Sequence, residues 1–351
     1  MDGAFPNNLG LTAPIVQAPM AGVSTPEMAA AVSNAGALGS LGLAALDVET
    51  AAEQIAQTRQ KTQRPFGVNF FCHEPARRDA VLEQSWIEHT APLFSKFGAV
   101  PPVELNEIYR SFRDNDAMFR MLLETRPAVV SFHFGLPRPD QISALHEVGC
   151  FLIASATRVF EGQVVERAGI DAVVAQGWGA GGHRGIFDPD GPDDRCDTET
   201  LTRRLVRETN LPVIAAGGLM DGQHVVAALG WGASAAQLGT AFVGCPESAA
   251  DEAYRDRLSK GGSTVMTRVI SGRPARCLSN AFTAWGKGVS PDGVPAYPCA
   301  YDLAKALNGV AKAAGETGYG AQWSGAGCDR ARSMPAGKLV KELIAEMQIC
   351  S

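Results

Sequence analysis

Eight short apolar runs constrain the fold of this chain more than any other feature. They read PIVQAPM (14–20), ALGSLGL (37–43), FGVNFF (66–71), AVVSFHFG (128–135), CFLIASA (150–156), DAVVAQG (171–177), PVIAAGG (212–218) and SAAQLGT (234–240). Runs this short, without polar alternation, fit strands buried on both faces. Between most of them lie amphipathic helical patterns. TPEMAAAVSNAG (25–36) offers Thr25 as N-cap, Pro26 as the first helical residue and Gly36 as a stop. DVETAAEQIAQTRQ (47–60) and DGQHVVAALGWG (221–232) behave alike. Strand and helix in eightfold alternation predict an α/β chain closed as a (β/α)8 TIM barrel. An open doubly wound sheet is the alternative, and the count of eight favours the barrel.

Two stretches break the repeat. Residues 73–125 are too long for one crossover helix, and 245–335 follow the last strand with a helical pattern broken by Pro and Gly. Residues 1–72, 126–244 and about 336–351 are therefore assigned to the barrel. The two excursions are assigned to a second, mostly helical substrate domain over its C-terminal mouth. The tail MPAGKLVKELIAEM (334–347) has helical periodicity and is expected to return to the barrel wall.

Charge narrows the partners. The formal net charge is −6 and no run of Lys and Arg occurs, so a nucleic-acid partner is not expected. No apolar run reaches membrane-span length, and the start MDGAFPNNLGL lacks the features of a signal peptide. The expectation is a cytoplasmic protein, with no membrane partner and with its eight cysteines reduced. The cysteines are scattered singly without C-x-x-C, so no metal site is expected.

In a barrel, the C-terminal ends of the strands carry the chemistry. Here those ends hold Gln17, Ala18, Pro19 and Met20 on the first strand, Asn69 on the third and His133 on the fourth. The sixth ends in Gln176 and the loop QGWGAGGHRG (176–185), which contains Ala180, Gly181, Gly182 and His183. The seventh ends in Gly217 and Gly218, the eighth in Gln237, Gly239 and Thr240. Glycine amides on two adjacent strand ends suit a phosphate. Asn69, Gln176 and Gln237 can address the polar edge of a flat heterocycle, with Met20 as a soft surface beneath it. That combination predicts FMN. FAD and NAD are disfavoured because no G-x-G-x-x-G follows the first strand. His183 lies just past the bare backbone, where a group that exchanges a proton near neutral pH is useful.

These stretches resemble the class I bacterial and fungal nitronate monooxygenases, formerly grouped as 2-nitropropane dioxygenases. The matching segments are 17–40, 65–73, 131–137, 176–185, 215–222, 236–242 and TRVISGRPAR (267–276), which together run over most of the chain. One departure is Trp178, where many relatives are expected to hold an acidic residue. The resemblance implies oxidation of alkyl nitronates by O2 on FMN without NAD(P)H, with His183 as the active-site histidine. It implies propionate 3-nitronate as favoured substrate, detoxified to malonate semialdehyde with nitrite and nitrate. Such a substrate carries a carboxylate, which asks for a cation or hydroxyl donors. Tyr297, Tyr301 and Lys305 fall at i, i+4 and i+8, and with Tyr109 and His133 are the expected substrate-binding residues. A monomer or homodimer is expected. Two alternatives stay open: an FMN-dependent NAD(P)H:quinone reductase on the same barrel, and a non-catalytic flavin-binding module.

Overall fold

The computed structural model describes residue 5 and residues 7–350, the side chains of Asn7 and Cys350 excepted. Residues 1–4, 6 and 351, at the ends of the range assigned to the barrel, lie outside the described residues. Every one of the eight apolar runs contains a strand. These are β1 (Ile15–Gln17), β2 (Gly39–Gly42), β3 (Phe66–Phe71), β4 (Val129–His133), β5 (Phe151–Ala156), β6 (Ala172–Gln176), β8 (Val213–Ala216) and β9 (Ala235–Leu238). All pair in parallel, in the order β1-β9-β8-β6-β5-β4-β3-β2. Leu38 bridges Val16 in parallel, and Gln17 N donates to Leu38 O at 2.9 Å, so β1 meets β2 and the sheet closes into a (β/α)8 barrel.

Local chemistry sets the helices. Thr25 accepts from Met28 N at 3.1 Å and Pro26 opens the helix Pro26–Asn34. Asp47 and Asp221 cap Val48–Lys61 and Gly222–Gly230 in the same way. The barrel interior is filled by Val16, Leu38, Val129, Ile153, Val174 and Ile214. A wider apolar layer joins the strands to the helices around them. The final helix, Ala336–Cys350, does return to the wall: Gly222 N donates to Glu346 Oε2 at 2.7 Å, and Leu339, Val340 and Leu343 are buried beside Met28 and Val225.

The excursions share one helix with the barrel and carry two short strands beside their helices. Helix Asp116–Thr125, expected within the first insertion, belongs to the barrel wall, because Met118, Met121 and Leu122 join the barrel's main apolar layer. The second excursion is not only helical. Thr264–Thr267 (β10) and Ala275–Leu278 (β11) form an antiparallel pair, and β11 also pairs with the two-residue strand Gly182–His183 (β7). Helices Ala80–Ser95 and Cys299–Ala313 pack on each other around Trp86, Phe94, Leu303 and Leu307. No helix among the described residues is long and apolar enough to cross a membrane.

Candidate active site

A cavity of about 430 Å³ opens at the C-terminal ends of the strands. It brings together Ala18, Pro19, Met20, Asn69, His133, Gln176, Ala180, Gly181, Gly182, His183, Gly217, Gly218, Gln237, Gly239 and Thr240, with Tyr109, Tyr301 and Lys305 from the excursions. Two expected residues stand apart. Gln17 is fully buried; its Nε2 donates to Ser24 Oγ at 3.0 Å and its Oε1 accepts from Ser40 N at 2.8 Å, so its amide ties β1 to β2 behind the cavity. Tyr297 precedes the helix that carries Tyr301 and Lys305, so the three do not share one helical face. It lines a separate outer cleft of about 910 Å³, and its ring sits 5.5 Å from that of His183. Its hydroxyl is sealed and has no hydrogen-bond partner among the described residues.

One rim of the cavity is bare backbone. Gly217 and Gly218 have φ of 127° and 72°, a region L side chains rarely occupy. A Cβ on Gly217 would lie 2.8 Å from Thr198 Oγ1 and 3.0 Å from Ala180 N. A Cβ on Gly181 would lie 2.5 Å from Gly325 N. This second contact exposes a segment that the sequence reading missed: residues 323–327 lie over the glycine loop. Ala326 N donates to Gly179 O at 2.9 Å, and Gly325 N donates to Thr240 Oγ1 at 2.9 Å. WSGAG marks a tight loop in sequence, but nothing local says which strand ends it covers. Of the two glycine loops, the one after β9 starts a helix directly, where Gly239 caps Thr240–Val243. After β8 the helix starts four residues later, capped by Asp221.

The amides have different duties. The Gln237 side chain makes no hydrogen bond among the described residues and is free to meet a ligand. Asn69 donates to Ser131 O and Oγ at 3.1 and 2.9 Å, which leaves its Oδ1 as the group on offer. Gln176 is fully engaged: its Nε2 donates to His183 O at 2.9 Å and its Oε1 accepts from Gly185 N at 2.7 Å. It shapes the histidine loop instead of reading a heterocycle. Arg184 braces the same loop from beneath. Its buried guanidinium forms a two-pronged pair with Asp193, both contacts at 2.9 Å, and donates to Gln176 O at 2.7 Å. Trp178 does not line the cavity. It lies on the outer side of the loop among Arg184, Arg195 and Arg276, each 5.2–5.6 Å from its ring.

His183 lies in an aromatic wall of Trp323, Tyr297, Phe134 and Tyr301, at ring distances of 4.8–6.0 Å. Its Nε2 is 2.9 Å from Ser271 Oγ. Burial, then the nearby His133, Arg273 and His73, hold its pKa well below the usual imidazole value, so the ring is neutral at pH 7. His133 is also neutral, pushed down to about 4 mainly by burial. Both its nitrogens are occupied, Nδ1 by Ser155 Oγ at 2.9 Å and Nε2 by His183 O at 3.2 Å. It therefore reaches the cavity as a brace with no free hydrogen-bonding atom. Beyond the Tyr301 ring, Lys305 Nζ donates to Tyr109 Oη at 2.8 Å and lies 5.8 Å from that ring.

A closed parallel barrel with a polar, glycine-rimmed cavity at its C-terminal mouth defines an enzyme of the TIM-barrel class, with two neutral histidines at the cavity, His133 braced on both nitrogens and His183 on one. The chain belongs to the nitronate monooxygenase family, whose model matches residues 6–346. It is 54% identical to the nitronate monooxygenase of Paraburkholderia phytofirmans, covering 97% of this chain and 93% of that one. It is 49% identical to the nitronate monooxygenase of Pseudomonas aeruginosa, covering 99% and 100%. Among solved structures it superposes on nitroalkane oxidase from Streptomyces ansochromogenes with a TM-score of 0.87 at 36% identity, covering 97% of each chain. The protein is thus an oxidoreductase that acts on nitronates.

Proposed function

We propose that the protein oxidises alkyl nitronates with O2 on bound FMN, without NAD(P)H, and that propionate 3-nitronate is its preferred substrate. The products are then malonate semialdehyde with nitrite and nitrate. The observation that carries this reading is the polarity of the cavity. A glycine cradle, the neutral His183 and a Lys305–Tyr109 pair line the same cavity, with the Tyr301 ring between His183 and Lys305.

The residues fit FMN. Gly217, Gly218 and Gly239 line the cavity with bare backbone, whose amides suit a phosphate. Gln237 and the free oxygen of Asn69 face the space a flat ring would occupy, and Met20 lines it. Held there, FMN supplies the electron acceptor that a nitronate reduces and that O2 restores. The chain's own part is placement. His183 offers a hydrogen bond to the nitronate oxygens, and burial strengthens that bond by excluding water. Lys305 and Tyr109 hold the substrate carboxylate, with Tyr301 closing the side. Arg273, buried on the ring of Phe134 at 4.2 Å, forms no ion pair among the described residues and makes the interior favourable to anions.

The test is a pair of purified proteins. The wild type is expected to be yellow and to release FMN on denaturation. His183→Asn is expected to keep the FMN while kcat/KM for nitronate falls about 10²-fold. Full turnover by His183→Asn, or a cofactor other than FMN, contradicts the reading.

A further inference from the structure

Ser271 is fully buried and touches neither the cavity nor the surface, yet it is the side chain that hydrogen-bonds to the ring of His183. Its position is fixed. Ser271 N donates to Arg268 O at 3.2 Å, Arg184 N donates to Pro274 O at 2.8 Å, and Ala275 pairs with His183 across the small sheet. The Arg273 guanidinium ties the same turn to Ile186 O. The hydroxyl therefore cannot drift from the ring.

A neutral imidazole has one N–H and one lone pair, and a hydroxyl has one proton to give. Two arrangements satisfy the contact. In the first, Nε2–H donates to Ser271, and the Ser271 proton goes to Arg273 O. In the second, Ser271 donates to Nε2, and the ring proton sits on Nδ1. The carbonyl distance favours the second. Ser271 Oγ is 3.3 Å from Arg273 O but 2.9 Å from Nε2. O–H···O bonds usually fall at about 2.5–3.0 Å, so the carbonyl is a poor acceptor here and the ring nitrogen a good one. The other nitrogen, Nδ1, has no hydrogen-bond partner among the described residues, and it is not sealed as His73 Nδ1 is. His183 lines the cavity, so Nδ1 is the atom a ligand meets.

We infer that Ser271 is a positioning residue that holds His183 as its Nδ1–H tautomer, so that the ring presents a nitronate with a hydrogen-bond donor and not a lone pair. The inference rests on the nitronate reading for the ligand, but the tautomer itself does not depend on it. An anionic oxygen accepts from Nδ1–H without any proton transfer, and no charge has to be created in the buried wall. The opposite tautomer would set a lone pair against a negative oxygen.

The experiment is 15N–1H correlation spectroscopy of the FMN-bound protein labelled at histidine, with the His183 signals assigned by their absence in His183→Asn. The wild type is expected to show a protonated Nδ1 and a pyridine-type Nε2. Ser271→Ala is expected to keep FMN, to lose that pattern and to lower kcat/KM for nitronate about 10-fold or more. Ser271→Thr, which retains the hydroxyl, is expected to restore both. A wild-type spectrum with protonated Nε2 overturns the inference, and so does a Ser271→Ala protein with unchanged spectrum and turnover. If Ser271→Ala fails to fold, the wild-type spectrum decides alone. Failure of the wild type to oxidise nitronate, with the expected spectrum intact, would refute the functional reading and leave the tautomer standing.

Discussion

Replacing Lys305 by Met removes a charge while nearly keeping the side-chain volume, and tests the carboxylate end of the site. Lys305 Nζ lies 2.8 Å from Tyr109 Oη and 5.1 Å from the centre of that ring, at the edge of the cavity. Two unit charges about 4 Å apart at an effective dielectric near 20 attract by about 4 kcal/mol. Lys305 is exposed, so solvent and salt reduce this to about 1–2 kcal/mol. That predicts a loss of about 5- to 30-fold in kcat/KM for propionate 3-nitronate. A plain alkyl nitronate, which has no carboxylate, should change less than about 2-fold by the same rule. Oxygen uptake with both substrates at low and high salt gives the comparison, and the wild-type preference should shrink as salt rises. An equal loss for both nitronates would refute the reasoning, as would no loss for either.

Other parts of the site make separate predictions. Gly181→Ala places a Cβ against the backbone of Gly325, which cannot yield cheaply. It should cost about 1–3 kcal/mol of stability and weaken FMN retention, read by thermal melting and by the flavin-to-protein absorbance ratio. Arg184→Met leaves the partly exposed Asp193 and the Gln176 carbonyl without their buried partner and should cost about 1–3 kcal/mol in urea unfolding. A loss below about 1 kcal/mol would show the pair to be dispensable. Stability should also fall in mild acid. Burial lowers His73 and His133 to about 4 in the folded state from the ordinary 6.5, so below pH 6.5 the unfolded chain binds more protons than the folded one. The urea midpoint should hold above that pH and decline from pH 6.5 towards pH 4, and a flat profile over that window contradicts the burial of these rings.

The barrel was legible because its signals are local. A buried parallel strand is a continuous apolar run, and all eight runs contain one. Thr25, Asp47 and Asp221 each announce a helix through a cap that needs no tertiary partner. Strand ends then place Asn69, His133, His183 and Gln237 around one mouth by topology alone. What was not legible depends on who hydrogen-bonds to whom. Gln17 and Gln176 look like ligand-reading amides in sequence, but Ser24, Ser40, Gly185 and the His183 carbonyl consume them. Ser271 and Trp323 meet His183 from 88 and 140 residues away, through a three-stranded sheet too short to show a period. Tyr297 fell out of the predicted helical face because the helix starts after it, at Cys299. Helix Asp116–Thr125 was placed in the insertion because nothing in its sequence says which apolar layer its Met and Leu residues join.

The central claim is that this cavity oxidises a nitronate with molecular oxygen and needs no nicotinamide. The most direct test is oxygen consumption by the purified protein with propionate 3-nitronate alone, with nitrite measured alongside and an anaerobic NADH addition in parallel. Rapid uptake, nitrite release and a flavin spectrum that NADH leaves unchanged are the expected results. No uptake with nitronate, together with bleaching by NADH, would contradict that claim and assign the same barrel to a nicotinamide-dependent reductase.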